Sequence, residues 1–232
     1  MSFVNAASDR NRYRDTGDDS AYYHKTNVCT GSFVWNSTRT STPGVRSVTV
    51  IAKECPMIFS KAVGVLSLND FDILDARSYR QNSSTLGAFK VKALPGPDSE
   101  KERFARAEQQ LKDVLDGRMN LNMEFRKKMS ARTAGFPNLS QQASLQVEID
   151  NESSFLFTLI EVKTDDFPGV LFAVSDAILK SGLDIWNAGI STVNGKICDT
   201  FYVKDQNGKK IMAEDEIAAI RSKMRTSYNM MR

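Results

Sequence analysis

Asp72-Ile73-Leu74-Asp75-Ala76 and Phe89-Lys90-Val91-Lys92 return as Asp184-Ile185-Trp186-Asn187-Ala188 and Phe201-Tyr202-Val203-Lys204, each 112 positions later. Val50 meets Val162, Pro56 meets Pro168 and Asn82 meets Asn194 on the same register, with no gap needed between Ser32 and Lys92. A repeat at a fixed offset means one supersecondary unit used twice, so the fold is argued per unit.

Working outward from those segments, the hydrophobic period switches in a fixed order. Val48–Ile51 and Phe157–Val162 are β-branched or apolar runs that read as strands. Ile58, Phe59, Ala62, Val63 and Leu66 line one helical face, as do Val170, Leu171, Val174, Ala177 and Ile178. Two strands follow in each unit, Asp72–Tyr79 with Thr85–Ala93, and Asp184–Val193 with Lys196–Asp205. Asn82-Ser83 and Asn194-Gly195 supply the hairpin turns. A second helix closes each unit, marked by Phe104, Ala107, Leu111, Val114 and Leu115, then by Ile217, Ile220 and Met224.

The order β-α-β-β-α is most of a ferredoxin-like βαββαβ sandwich, an α+β architecture with an antiparallel sheet and helices on one face. The alternating segments Ser32–Thr38 and Ser144–Asp150 are expected to stand at the sheet edge where that fold has its last strand. Residues 1–30 read as a polar, disordered arm, 31–118 as the first unit, 119–143 as a helical extension and linker, and 144–232 as the second unit.

Composition narrows the function. Hydrophobic residues make up 41% of the chain and charged residues 25%, with a net charge of +3 and no basic block, so neither wholesale disorder nor a nucleic-acid footprint is indicated. Cys29, Cys55 and Cys198 have neither disulfide nor zinc spacing, and no stretch is long and apolar enough to span a membrane. A cytoplasmic protein is expected. His24 is the single histidine, which excludes histidine-clustered metal centres, and no phosphate-cradling glycine loop occurs. No cofactor, metal or catalytic residue is expected.

The informative loop is Thr164-Asp165-Asp166-Phe167-Pro168-Gly169-Val170-Leu171, between the first strand and first helix of the second unit. Asp166 is placed to cap the helix, Pro168 to occupy its first turn, and Gly169 to leave backbone N–H groups open to a carboxylate. The bland alternative is a well-capped helix with a glycine in it.

Asp166-Phe167-Pro168-Gly169-Val170-Leu171, followed by Gly182-Leu183-Asp184-Ile185 and Asp199-Thr200-Phe201-Tyr202-Val203-Lys204-Asp205, resembles an ACT domain. With Cys55-Pro56-Met57-Ile58, Asp72–Ala76, Val147–Ser153 and Phe33-Val34-Trp35, the chain is similar to the carboxy-terminal tandem ACT pair of bacterial protein-PII uridylyltransferase/uridylyl-removing enzymes. The resemblance covers about residues 32–232. It implies a regulatory region without the nucleotidyltransferase and hydrolase domains, and an amino-acid effector, L-glutamine or another small amino acid, bound between a loop and a neighbouring strand. Carried over residue by residue, that site is Asp166, Pro168, Gly169 and Val170, with Asp184, Ile185 and Asn187 on the strand. The first unit's counterparts are Glu54, Pro56, Met57 and Ile58, then Asp72, Ile73 and Asp75, where Met57 fills the place of the glycine. Implied partners are the catalytic domains of a uridylyltransferase in trans, a PII signalling protein, or a second copy of the chain; neither nucleic acid nor membrane is expected. The competing reading is an interaction or dimerisation scaffold that has lost ligand binding. RNA binding is disfavoured because Cys198-Asp199-Thr200-Phe201-Tyr202 lacks the glycine and aromatic spacing of an RNA-binding strand. The basic run Arg126-Lys127-Lys128 reads as a solvated helix face.

Overall fold

The computed structural model describes Cys29 and residues 32–133, 145–165, 169–190, 192–193 and 196–231. The polar arm, the linker beyond residue 133, Asp166, Phe167 and Pro168, and the Asn194-Gly195 turn therefore lie outside the described residues. In chain order the elements are β1 (Phe33–Arg39), β2 (Val45–Lys53), α1 (Ile58–Leu68), β3 (Phe71–Gln81), β4 (Ser84–Ala93), α2 (Glu100–Leu115) and α3 (Leu121–Thr133). There follow β5 (Gln146–Asp150), β6 (Thr158–Asp165), α4 (Val170–Lys180), β7 (Leu183–Gly189), β8 (Thr192–Val193), β9 (Lys196–Asp205) and α5 (Glu214–Met231).

Both sheets are antiparallel. Their orders are β1-β2-β4-β3 and β5-β6-β9-β7, with the two-residue β8 pairing β9. The upstream strands β1 and β5 thus hold the edge beside β2 and β6, as the alternating segments predict. Asn82 takes φ +52 in the turn that joins β3 to β4, a conformation asparagine tolerates better than most residues.

In each unit the strands bury alternate residues beneath their helices. Val48, Val50, Phe89 and Val91 lie under α1 in the first unit, where the Phe59 and Phe89 rings stack at 5.5 Å. Helix α2 starts at a capping box in which Ser99 and Glu102 satisfy each other's backbone N–H groups. Its buried Arg103 donates to the Leu94 carbonyl at 2.7 Å. In the second unit Ile160, Val162, Phe201 and Val203 form the floor, and the buried Tyr228 hydroxyl of α5 bonds Thr164 Oγ1 at 2.7 Å.

The units pack side by side, α1 against α4 and β3 alongside β7. Ser175 donates to Ser60 Oγ at 3.1 Å, and Lys61 reaches Asp176 at 2.9 Å. Helix α3 lies over this seam. It is a separate helix and not an extension of α2: Gly117 at φ +72 ends α2, and Arg118 folds back onto Asp113. Its Leu121 and Phe125 are both buried. Gly64 of α1 makes room for this contact, since a Cβ there would stand 2.7 Å from Leu121 Cδ1 and 2.9 Å from Phe172 Cδ2.

Three expectations are corrected. The strand drawn as Asp184–Val193 ends at Gly189, carries a bulge between Ile185 and Asn187, and gives way to the separate β8. The cysteines are not all free: Cys29 and Cys55 form a disulfide across a sequence separation of 26, while Cys198 is a free, exposed thiol. That bond overturns the reading of the three cysteines as lacking disulfide spacing. Finally, Lys128 does not simply face solvent, because its ammonium bonds the Leu68 carbonyl and reaches Asp70 at 2.8 Å. Among the described residues no helix is long and apolar enough to cross a membrane.

Candidate functional site

The second unit's loop enters α4 through Gly169, which is itself the N-cap, at φ +91 and without a side-chain cap. The capping role expected of Asp166 lies outside the described residues. A φ of +91 lies beyond the left-handed range that Asn82 and Glu54 occupy and strongly favours glycine. A second demand comes from α3: a Cβ on Gly169 would stand 2.7 Å from Phe125 Cε1, and Phe125 in turn stacks on Phe172 at 5.0 Å. The space freed by the missing side chain is taken up by the chain's own aromatic ring. Val170, next in sequence, is 4% exposed and belongs to the core.

The strand residues divide by the pleat. Ile185 is buried in the core. Asp184 lies opposite Lys204 and Asn187 opposite Tyr202, on the face away from the helices. The bulge places Trp186 there as well, and the result is a cluster that the sequence reading missed. Lys204 Nζ sits 4.8 Å from the centroid of the Trp186 ring and 4.9 Å from that of Phe157. The Phe157 ring meets Tyr202 edge-on at 6.1 Å.

Arg80 reaches across from β3 of the first unit, forming an ion pair with Asp184 and standing 5.4 Å over the Trp186 ring. At the centre the Trp186 indole Nε1 is buried and has no hydrogen-bond partner among the described residues. A buried donor with no acceptor costs about 1–3 kcal/mol, which a bound acceptor would return. Such a cluster could have been sought from a tryptophan flanked by predicted site residues on a strand, but Arg80 came from the other unit and no local pattern points to it.

The first unit's counterparts are arranged differently. Glu54 is held at φ +49, its N–H donating to the Ser83 carbonyl at 2.6 Å. Cys55 is tied to Cys29, Met57 is the buried N-cap of α1, and Ile58 is fully buried. Pro56 is partly buried between them. Asp72 is exposed opposite Lys92, Ile73 is half-buried, and Asp75 is engaged by Lys90 at 3.4 Å and Arg77 at 3.6 Å. These side chains serve the loop closure, the core and the strand's own ion pairs.

The strongest electrostatic feature of the seam is Asp176, 3% exposed. Burial is the largest influence and opposes its ionisation, but Lys61 and Lys180 together outweigh it and hold the carboxyl below its ordinary value. Lys180 contacts Oδ2 at 2.8 Å while Lys61 takes Oδ1. Among the described residues no group of acidic, histidine and cysteine side chains could hold a metal ion.

No family model matches the chain. A bifunctional uridylyltransferase/uridylyl-removing enzyme of Rhodospirillum rubrum is 34% identical over 181 residues, 76% of this chain and 19% of that enzyme. The enzymes of the same description from Ruegeria pomeroyi and Azospirillum brasilense are 32% and 31% identical, covering 73% and 78% of this chain and 18% and 19% of theirs. Among solved structures, a fused permuted hexameric shell protein of a microcompartment covers 86% of this chain and 96% of its own at a TM-score of 0.28 and 11% identity, too distant to carry any argument. The chain spans about a fifth of the length of the curated relatives it matches. With its duplicated α+β units, it is a homologue of one region of the bacterial bifunctional uridylyltransferase/uridylyl-removing enzymes.

Proposed function

We propose that the chain is an amino-acid-sensing regulatory module of a PII uridylyltransferase-type signalling enzyme, with L-glutamine as effector and no nucleotidyl transfer of its own. The observation that carries this reading is the orphaned Trp186 indole N–H at the boundary between the units, beside the Arg80–Asp184 pair. A glutamine there meets an acceptor-seeking N–H, a guanidinium and a carboxylate, complementary to its side-chain carbonyl, its carboxylate and its ammonium. Because Arg80 and Asp184 belong to different units, a ligand between them favours one docking of the units over others, and that preference is passed to a partner domain. Typical coupling of about 1–3 kcal/mol changes partner activity 5- to 150-fold.

Titration calorimetry of the purified chain tests this, with L-glutamine beside L-glutamate and a Trp186→Phe variant that keeps the ring and removes the donor. Saturable glutamine binding that weakens about tenfold in the variant is expected, from one hydrogen bond of roughly 1.4 kcal/mol. A folded wild-type chain that binds neither amino acid overturns the sensor. A Gly169→Met variant is unsuitable for this purpose, because φ +91 and the Phe125 contact make it a folding lesion first.

A second reading, a scaffold that binds protein domains and no ligand, is favoured by one observation. The space of each loop is filled from within, by Phe125 against Gly169 and by the buried Met57 side chain. The same calorimetry separates the two readings. The whole enzyme's partners, a PII protein or catalytic domains acting in trans, remain part of the proposal, as does a homodimer.

A further inference from the structure

We propose that the cleft between α3, α4 and α5 is a second ligand site, taking a small organic anion whose carboxylate or phosphate group lies between Arg126 and Lys180. This inference shares no residue with the boundary cluster and does not rest on the sensor reading.

The cleft holds about 200 Å³. That is below the roughly 300–1,000 Å³ of pockets for drug-sized ligands and restricts the occupant to a small metabolite. From α4 it is lined by Ala173, Asp176 and Lys180, spaced along one helical face. From α3 come Met123 and Arg126, one turn apart, and Ser227 faces them from α5.

Charge decides the class of ligand. Both carboxylate oxygens of Asp176 are already occupied, one by Lys61 and the other by Lys180. Two ammonium groups on one carboxylate leave this corner positive before Arg126 is counted. Arg126, for its part, makes no hydrogen bond or ion pair with any described residue. Its neighbours Lys127 and Lys128 are both engaged, by Glu124 and by Asp70. A guanidinium with five free N–H donors in a fixed fork matches a carboxylate or phosphate in two-point contact.

The remaining lining suits the rest of a short molecule. Asn120 accepts the Met123 N–H on its Oδ1 at 3.2 Å, which leaves its amide NH₂ as the end for a ligand. Asn122 and Ser227 add an amide and a hydroxyl, and the Met123 thioether and Ala173 methyl supply an apolar wall. An occupant touching all three helices fastens α3 to the second unit, and α3 also carries the Phe125 ring that covers Gly169.

The test is a titration of the full chain with succinate and, separately, inorganic phosphate, followed by backbone amide NMR shifts. An Arg126→Gln variant, at an exposed position without partners among the described residues, is run in parallel, and its unperturbed spectrum verifies folding. We expect saturable shifts in residues 120–126 and 173–180, at least tenfold weaker in Arg126→Gln and unchanged in Trp186→Phe. Tighter succinate binding assigns the site to carboxylates, and tighter phosphate binding assigns it to phosphate-bearing metabolites. Absence of saturable shifts with both probes, or equal affinity in Arg126→Gln, overturns the proposal.

Discussion

At two equivalent positions the repeats exchange large for small: Met57 in the first unit answers Gly169 in the second, and Gly64 in the first answers Asp176 in the second. At the first of these positions the backbone differs as well as the packing: Met57 is right-handed at φ -79 where Gly169 is left-handed at φ +91. Helix α3, which belongs to neither repeat, makes use of both glycines, one turn of helix apart. Leu121 occupies the space at Gly64 and Phe125 the space at Gly169. The residues opposite the glycines do other work, Met57 in the core and Asp176 in the ion pair that crosses the seam. A duplicated unit has been made asymmetric by one inserted helix, and one of the two exchanges, Met57 for Gly169, falls on the loops where the family resemblance places the effector.

The largest effect is expected at Asp176, the polar half of that exchange. Asp176→Ala strands Lys61, whose side chain is 13% exposed, and loss of one partner from a buried pair costs about 3–5 kcal/mol. Urea unfolding measures this; a loss below about 1 kcal/mol would show that the seam does not depend on it. The same residue sets a pH dependence. A carboxyl depressed on folding stabilises the protein above its unfolded value near 4, and that contribution is lost as pH falls through the lower folded value. The wild type should therefore lose stability in acid more steeply than Asp176→Ala.

Next in size is Gly169→Ala. The left-handed backbone costs about 1–2 kcal/mol for a non-glycine residue, and the Cβ contact with a buried aromatic ring adds about 1–2 more. The comparison sharpens if Gly64→Ala costs less, about 1 kcal/mol, because there the helix gains propensity while Leu121 and Phe172 must shift. Equal losses at the two glycines would mean that α3 does not distinguish the repeats.

Much of this architecture was legible from local pattern. The offset of 112 fixed two units, the periodicities located α1 and α4, and the alternation of Phe33-Val34-Trp35 and Val147-Glu148-Ile149 found the edge strands, because each of these is a property of neighbouring residues. What the sequence hid came from contacts between distant segments. Gly169 looked like an opening for a ligand, yet its requirement arises from Phe125, on a helix read as a solvated linker. Asp184 was chosen for the site, but Arg80, which binds it, has no local signature. Cys29 and Cys55 gave no recognisable spacing because the pairing depends on where the chain before β1 meets the loop after β2. The Trp186 orphan depends on a bulge, whose mark in the sequence is a shift of the alternation from Leu183 and Ile185 to Ala188, a phase change too short to be told from an irregular strand end.

The central claim is that an amino acid bound where the units meet fixes their docking. Hydrogen exchange of the purified chain with and without saturating L-glutamine tests it most directly. The account predicts slower exchange in β3 around Arg80 and in β7 from Leu183 to Gly189, with the far edge strands β1 and β5 unchanged. Identical exchange in both strands, with and without glutamine, would contradict it and leave the paired units as a scaffold.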